Sequence, residues 1–405
     1  MSEAALPVEA VVERPTFVRW GVVLLTGLLA IVIYIHRACL ANASTTIEAE
    51  LQLDDRQMGW IKAAFSCGYL FQFLGSSLNS RFGNRVVLAG MALASSAALF
   101  GVSQSRSAES LWFCMACIGV AQAGVIPCAG QVVRDWIPAN RRAAAGSIFT
   151  SFMSVGSAVA SGLTGTLLQN GIPWRTAFMS YAGLGIVWSI VFSWWFRNSA
   201  AEHRQVNAAE LRLITADAPP VTTLPRATSA VWRAMLTSRN EWFICLQQFF
   251  RNFAYMFFIT WYPAFLENAY GVSKQEAGLM NMTPLLMTVC GILAGGQLVD
   301  LLQNRTGSRY LSRSVTSAVG QTACSLAILA ASAAPNPWTA VFLIGLGMMF
   351  FGIGSPATWA ATMDISGKYT TLFFALMNGV GVIGGIVSPI AVGYMTQRIK
   401  QGAGD

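Results

Sequence analysis

Residues 18–45 read VRWGVVLLTGLLAIVIYIHRACLANAST, an apolar run that carries Tyr34, His36 and Arg37 beyond its middle. An α-helix rises 1.5 Å per residue, so roughly 20 apolar residues cross the hydrocarbon core of a bilayer, and this run is longer than that. Runs of the same kind recur at 57–79, 86–104, 110–133, 143–168 and 174–196. After a polar stretch they return at 241–266, 278–302, 313–333, 338–361 and 370–396. The pattern predicts an all-α membrane protein with eleven visible spans. It divides into a polar N-terminus (1–17), a six-helix bundle (18–196), a linker (197–240) holding Pro219, Pro220 and Pro225, and a second bundle (241–405).

Composition agrees with that reading. Of 405 residues, 54% are hydrophobic and 11% charged, against about 25% charged in soluble domains. The net charge of +8 collects between apolar runs, which points to membrane topology and not to nucleic acid. Loops after the even-numbered spans hold Arg81, Arg85, Arg134, Arg141, Arg142, Arg305, Arg309, Arg313 and Lys368, and the linker holds more arginines. The other loops hold only Arg56, Arg106, Arg175 and Lys274. The bias predicts a cytoplasmic N-terminus and linker, with 38–56 outside. No cleavable leader is expected before the first span.

The eight cysteines lie in or beside apolar stretches, and Cys114 and Cys117, although spaced CxxC, have no histidine nearby. They read as packing residues, so no metal and no cofactor is expected. No Walker-type glycine loop, HExxH or Gly-x-Ser-x-Gly elbow occurs, and an enzyme is not expected.

Gly75–Arg85 (GSSLNSRFGNR) has a counterpart 220 residues later, in Gly295-Gly-Gln-Leu-Val-Asp300 followed by Arg305, Gly307 and Arg309. Repeats of six helices are one way to build a transporter with its site between the halves. A sixth helix for the second half is then expected after Asp405, with a true eleven-helix protein as the alternative.

A charge at the bilayer centre costs about 2.5–3.5 kcal/mol on insertion scales, so it normally has a role or a partner. Arg37, Lys62 and Arg251 lie within spans, with His36 beside them, while the acids sit at termini, loops and helix ends. A bundle interior with cations and no anion is suited to a bound anion. Arg37 offers a planar fork for a carboxylate, with snorkelling to the surface as its alternative. Tyr34 and Tyr69 are candidates for substrate contact or plain packing. Arg251 lies too deep in its span to snorkel. Lys62 reads equally as an anion-attracting gate or a snorkelling residue. Asn378 in its Gly-rich helix, and Trp359 and Ser355 beside Pro356, complete the candidate set. Pro127, Pro263, Pro284 and Pro356 are expected to bend their helices.

The ordered set of motifs resembles the major facilitator superfamily, in the anion:cation symporter branch that includes vesicular glutamate carriers and bacterial sugar-acid symporters. The matches are Tyr34-Ile-His-Arg37, Gly68-Tyr69, Gly124-Val-Ile-Pro127, Trp136-Ile-Pro138-Ala-Asn-Arg141, Trp174-Arg175-Thr-Ala-Phe178, Phe250-Arg251-Asn-Phe, Thr260-Trp261-Tyr-Pro263, Asp364-Ile-Ser-Gly-Lys-Tyr369 and Asn378-Gly-Val-Gly381. The resemblance implies two six-helix bundles and alternating-access transport of a small organic anion, such as a sugar acid or other carboxylate. It implies a monomer in a bacterial inner membrane and an anion-binding role for Arg37 and Arg251. The chain departs from the family where many members carry Asp beside the first arginine (here His36) and Glu in helix four (here Gln122). Proton symport is attributed to those carboxylates, so coupling is expected to be weakened, lost, or carried by His36. A uniporter, an exchanger or a non-transporting sensor is the alternative.

Overall fold

The computed structural model describes residues 14–138, 141–215, 233, 235–366 and 370–402. Helices α1 (Val18–Leu51), α2 (Asp55–Tyr69), α3 (Phe73–Gln104), α4 (Ala108–Gln122), α5 (Val125–Trp136), α6 (Arg142–Gln169) and α7 (Trp174–Trp195) build the first half. A linker helix, α8 (Ala208–Thr215), precedes α9 (Arg239–Thr260), α10 (Tyr262–Tyr270), α11 (Lys274–Thr306), α12 (Thr316–Ser332), α13 (Pro337–Ser366) and α14 (Thr370–Gly402). Among the described residues no strand occurs. Nine helical stretches among them are long and apolar enough to cross a membrane. The segments beginning at Asp55 and Arg239 take the second and seventh places but miss that description. The first stops at Tyr69 in a 3₁₀ turn, Leu70–Gln72. The second carries Arg239, Asn240, Glu241, Gln247, Gln248, Arg251 and Asn252.

Local chemistry explains where the helices start and stop. The first helix runs six residues beyond the expected 45, then ends where Gln52 turns left-handed (φ 52°). Asp54 opens α2 with a capping box, its carboxylate accepting from Gln57 N at 2.6 Å, and Ser107 and Ser273 do the same for α4 and α11. Such caps satisfy backbone donors that a helix start leaves unpaired. The fourth span breaks at Ala123–Gly124, before Pro127, and the seventh at Trp261, before Pro263. Pro284 and Pro356 sit inside α11 and α13.

The two basic turns singled out in the sequence each carry a glycine at positive φ. Gly83 (φ 76°, ψ 162°) and Gly307 (φ 65°, ψ −3°) both have the positive φ that glycine tolerates, the second in the left-handed helical region and the first extended. A side chain at Gly83 would also meet the Asn198 amide at 2.6 Å. Arg85 then donates to the Ser193 carbonyl at 2.7 Å, and Arg313 pairs with Asp364 at 3.1 Å.

In the first half α1 packs on α6, α3 on α7 and α2 on α4; in the second, α11 and α12 pack on α13 and α9 on α14. The halves meet along α2 with α14 and α6 with α11. The linker's first part docks on the first half. Glu210 of α8 is fully buried and accepts from Thr16, Val18 N and Arg19 N, pairing with the Arg19 guanidinium at 3.1 Å. It caps α1 from outside its own sequence neighbourhood.

Candidate functional site

The seam between the halves is sealed at the end away from the linker. Lys400 of α14 pairs with Asp55 of α2 at 2.9 Å. Thr45 donates to Glu267 at 2.7 Å, and Lys274 donates to Thr46 at 2.7 Å. Backbones approach closely there: a side chain at Gly59 would meet the Pro389 carbonyl at 2.7 Å, and one at Gly165 the Lys274 carbonyl at 2.4 Å.

On the linker side of this seal lies a cavity of about 220 Å³. The first half supplies Tyr34 from α1 and Thr150, Met153 and Ser154 from α6. The second half supplies Gln248, Arg251, Asn252 and Tyr255 from α9, Thr288 and Ile292 from α11, and Phe351, Ser355, Thr358 and Trp359 from α13. Among the described residues no carboxylate lines it. Arg251 is the cation of this space. Its guanidinium donates to the Phe351 carbonyl at 3.1 Å and to the Ser355 hydroxyl, and lies 3.7 Å from the centroid of the Phe351 ring. One nitrogen of the fork, Nη2, is thus held by α13 while, among the described residues, the charge faces no acid. That arrangement orients a positive charge without neutralising it.

Arg37 sits one turn beyond Tyr34, towards the seal, in a separate small cavity of about 20 Å³ that it shares with Lys62. It stacks 4.5 Å from the Phe65 centroid and 5.6 Å from that of Tyr34. It donates to the Met256 sulfur at 3.6 Å, a weak acceptor, and the Tyr34 hydroxyl is also within its hydrogen-bonding reach. Lys62 is buried, with its ammonium 3.5 Å from the Trp261 ring centroid. Tyr255 lines the large cavity and lies within electrostatic reach of Tyr34, Arg37 and Arg251.

The structure separates the other candidates. Ser355 and Trp359 line the large cavity, and Trp359 also packs on Phe374 at 4.6 Å. Tyr69 stacks on Phe65 at 5.6 Å and lines neither cavity. Asn378 lines neither cavity either; Asn252 lines the large one and donates to the Gly381 carbonyl, one turn further along α14, at 2.6 Å. His36 is fully buried among α1, α3 and α7. Its Nδ1 is 3.0 Å from the Ser95 hydroxyl and its Nε2 is 2.9 Å from the Tyr181 carbonyl. Gln122 donates to the same Ser95 oxygen at 2.9 Å and to the Ile33 carbonyl at 3.2 Å. Each donor finds an acceptor when Ser95 gives its proton to Nδ1 and Nε2–H faces Tyr181, which is neutral histidine. The sequence reading missed Gln248, Asn252 and Tyr255. Spaced 0, 4 and 7 around Arg251, they form a polar stripe along one helix face, and that periodicity was the available signal.

Comparison with known proteins bears on this geometry. The sequence model of the Major Facilitator Superfamily matches residues 26–389. The chain is 27% identical over 372 residues to a "Probable sulfoacetate transporter" of Cupriavidus necator, covering 92% of this chain and 86% of that one. It is 29% identical over 408 residues to a "Probable galactarate/D-glucarate transporter" of Escherichia coli, covering 95% and 88%. Among solved structures, a bacterial homolog of the human lysosomal transporter Spinster, in an inward-facing and unoccupied conformation, superposes with a TM-score of 0.76 at 18% identity, over 95% of this chain and 84% of that one.

Proposed function

Because the chain belongs to the Major Facilitator Superfamily, we propose that it is a secondary transporter that moves a small organic anion between the two sides of a membrane by alternating access. The carrying observation is the cavity between the halves, where Arg251 presents a fixed guanidinium among hydroxyl and amide groups, with no carboxylate in the lining among the described residues. An acid group would pair with Arg251, while Gln248, Asn252, Ser355 and Thr358 would bond hydroxyls or a second acid oxygen. Relatives named for sulfoacetate and for galactarate and glucarate support a small polar acid as cargo. The seal at Asp55–Lys400 and Thr45–Glu267 would part when the opposite face opens, with the linker side cytoplasmic. Uptake of labelled organic acids into proteoliposomes tests the reading. No uptake of any acid that raises the melting temperature of the purified protein would overturn it.

Transport without strong proton coupling is the second part of the proposal, and Gln122 favours it. An amide cannot titrate, and here it holds Ser95, which satisfies His36 in its neutral form. A uniporter or exchanger follows. Uptake driven by an imposed pH gradient at zero membrane potential is expected to show little accumulation. Strong accumulation that survives His36→Gln would contradict both this and a His36-borne proton.

A further inference from the structure

We propose that the groove where α2 and α4 begin is a lipid site that holds the ammonium headgroup of phosphatidylethanolamine. The groove has a volume of about 310 Å³ and is lined by Gln57, Trp60 and Ile61 of α2 and by Ala108, Glu109 and Trp112 of α4. It lies at the sealed end of the molecule, since the same start of α2 brings Asp55 to Lys400 and Gly59 to the Pro389 carbonyl. Trp60 is 45% exposed and Trp112 37% exposed, so ring surface stays open on both helices.

The groove grades from polar to apolar along the helices. Gln57 and Glu109 stand in the first turns, and Trp60 and Trp112 each follow three residues later. That spacing places each pair on one helix face. Beyond Trp112, α4 keeps exposing apolar side chains at Phe113 and Val120. A molecule with a polar head and an apolar tail matches this order, whereas a small water-soluble amine would leave the apolar part uncovered. Tryptophans gather at membrane interfaces in any case. A belt of that kind accounts for the two rings and does not account for an acid in the same lining.

Charge selects the head. Glu109 is the one charged side chain of the lining among the described residues, and tryptophan faces attract cations. An ammonium group satisfies both, with its N–H groups free to donate to the carboxylate. Arg106, exposed three residues before Glu109, offers a cation to the lipid phosphate. An anionic head without an amine would meet Glu109 as a like charge. The inference does not depend on which organic anion is carried.

Native mass spectrometry of the purified full chain tests it, with phosphatidylethanolamine titrated against the same lipid acetylated on its amine. Wild type is expected to take up one phosphatidylethanolamine saturably and to bind the acetylated lipid several-fold more weakly. The apparent dissociation constant should rise about threefold in Glu109→Gln and about tenfold when Trp60→Leu and Trp112→Leu are combined, the sizes expected of an exposed charge pair and of two cation–ring contacts. Trp60→Phe with Trp112→Phe keeps both ring faces and should fall between wild type and the leucine pair. Trp338→Leu, at an exposed tryptophan that opens α13 outside the groove, should bind like wild type. Equal binding of the two lipids, or wild-type binding in both Glu109→Gln and the leucine pair, would overturn the proposal and leave the tryptophans as an interfacial belt. A dimer that the leucine pair abolishes, with no lipid adduct on wild type, would overturn it too and make the groove a contact between copies.

Discussion

Arg37 and Arg251 carry the same charge yet do different work. Arg251 is held through Nη2 by α13, at the Phe351 carbonyl and the Ser355 hydroxyl; Arg37 lies between aromatic faces. Replacing either by lysine keeps a positive charge and loses the planar fork. Arg251→Lys should therefore weaken organic-anion binding at least tenfold, since a bidentate contact becomes a single one. Arg37→Lys should weaken it less, because the positive charge within reach of Tyr34 and Tyr255 is retained. Arg309→Lys, at the basic turn after α11, should leave affinity within about twofold, a change near the size of an ordinary surface effect. Isothermal titration of the three variants measures this, and wild-type affinity in Arg251→Lys would remove the acid group from where it is placed here.

Among the elements, the docked linker segment has a titratable hinge. The His203 ring stands edge-on to Trp195 at 4.8 Å and to Trp136 at 5.7 Å, and its Nδ1 accepts from Gln205 N at 3.3 Å. Burial, and then the Arg197 charge, lower its pKa below 6.5; the Trp195 carbonyl and Glu210 oppose the shift. The folded form then binds fewer protons than the undocked one. Stability from this group is complete above pH about 6.5 and falls as the pH drops towards the lowered value. Hydrogen-exchange protection in 200–215, corrected for the intrinsic exchange rate, should fall between pH 7 and 5, and His203→Phe should flatten that dependence.

The seam between α6 and α11 depends on absent side chains. At Gly165 a Cβ would lie 2.4 Å from the Lys274 carbonyl and 3.3 Å from Gly278 Cα. Gly165→Val should push the halves apart at the sealed end and increase maleimide labelling of Thr46→Cys several-fold. Unchanged labelling would mean that this seam does not hold the state.

For the whole molecule the prediction is orientation. Arginine lies in the linker and the turns on its side of the bundle, so a cysteine at Thr215 should be protected from impermeant reagent in intact cells and one at Gln52 should react. The reverse pattern would invert every statement about sides. Hydropathy already marks the class, because the demand for about 20 apolar residues is met within each segment separately. It could not place the ends: Gln52 and the Ala123–Gly124 break follow from caps and packing that hydropathy ignores.

What the sequence by itself determined is therefore the membrane fold, the linker, and the short list of charged residues within the spans, all of which are local or compositional. Only the tertiary structure decided which of them meet. His36 and Arg37 are neighbours in sequence, yet a turn of about 100° per residue sends the first into α3 and α7 and the second towards α9. Arg251 joins the first half's Tyr34 from 217 residues away. Helix rotation is set by how neighbouring helices interlock, as at Gly165 on Gly278. That energy is shared among side chains on different helices, so no single segment of the sequence contains it.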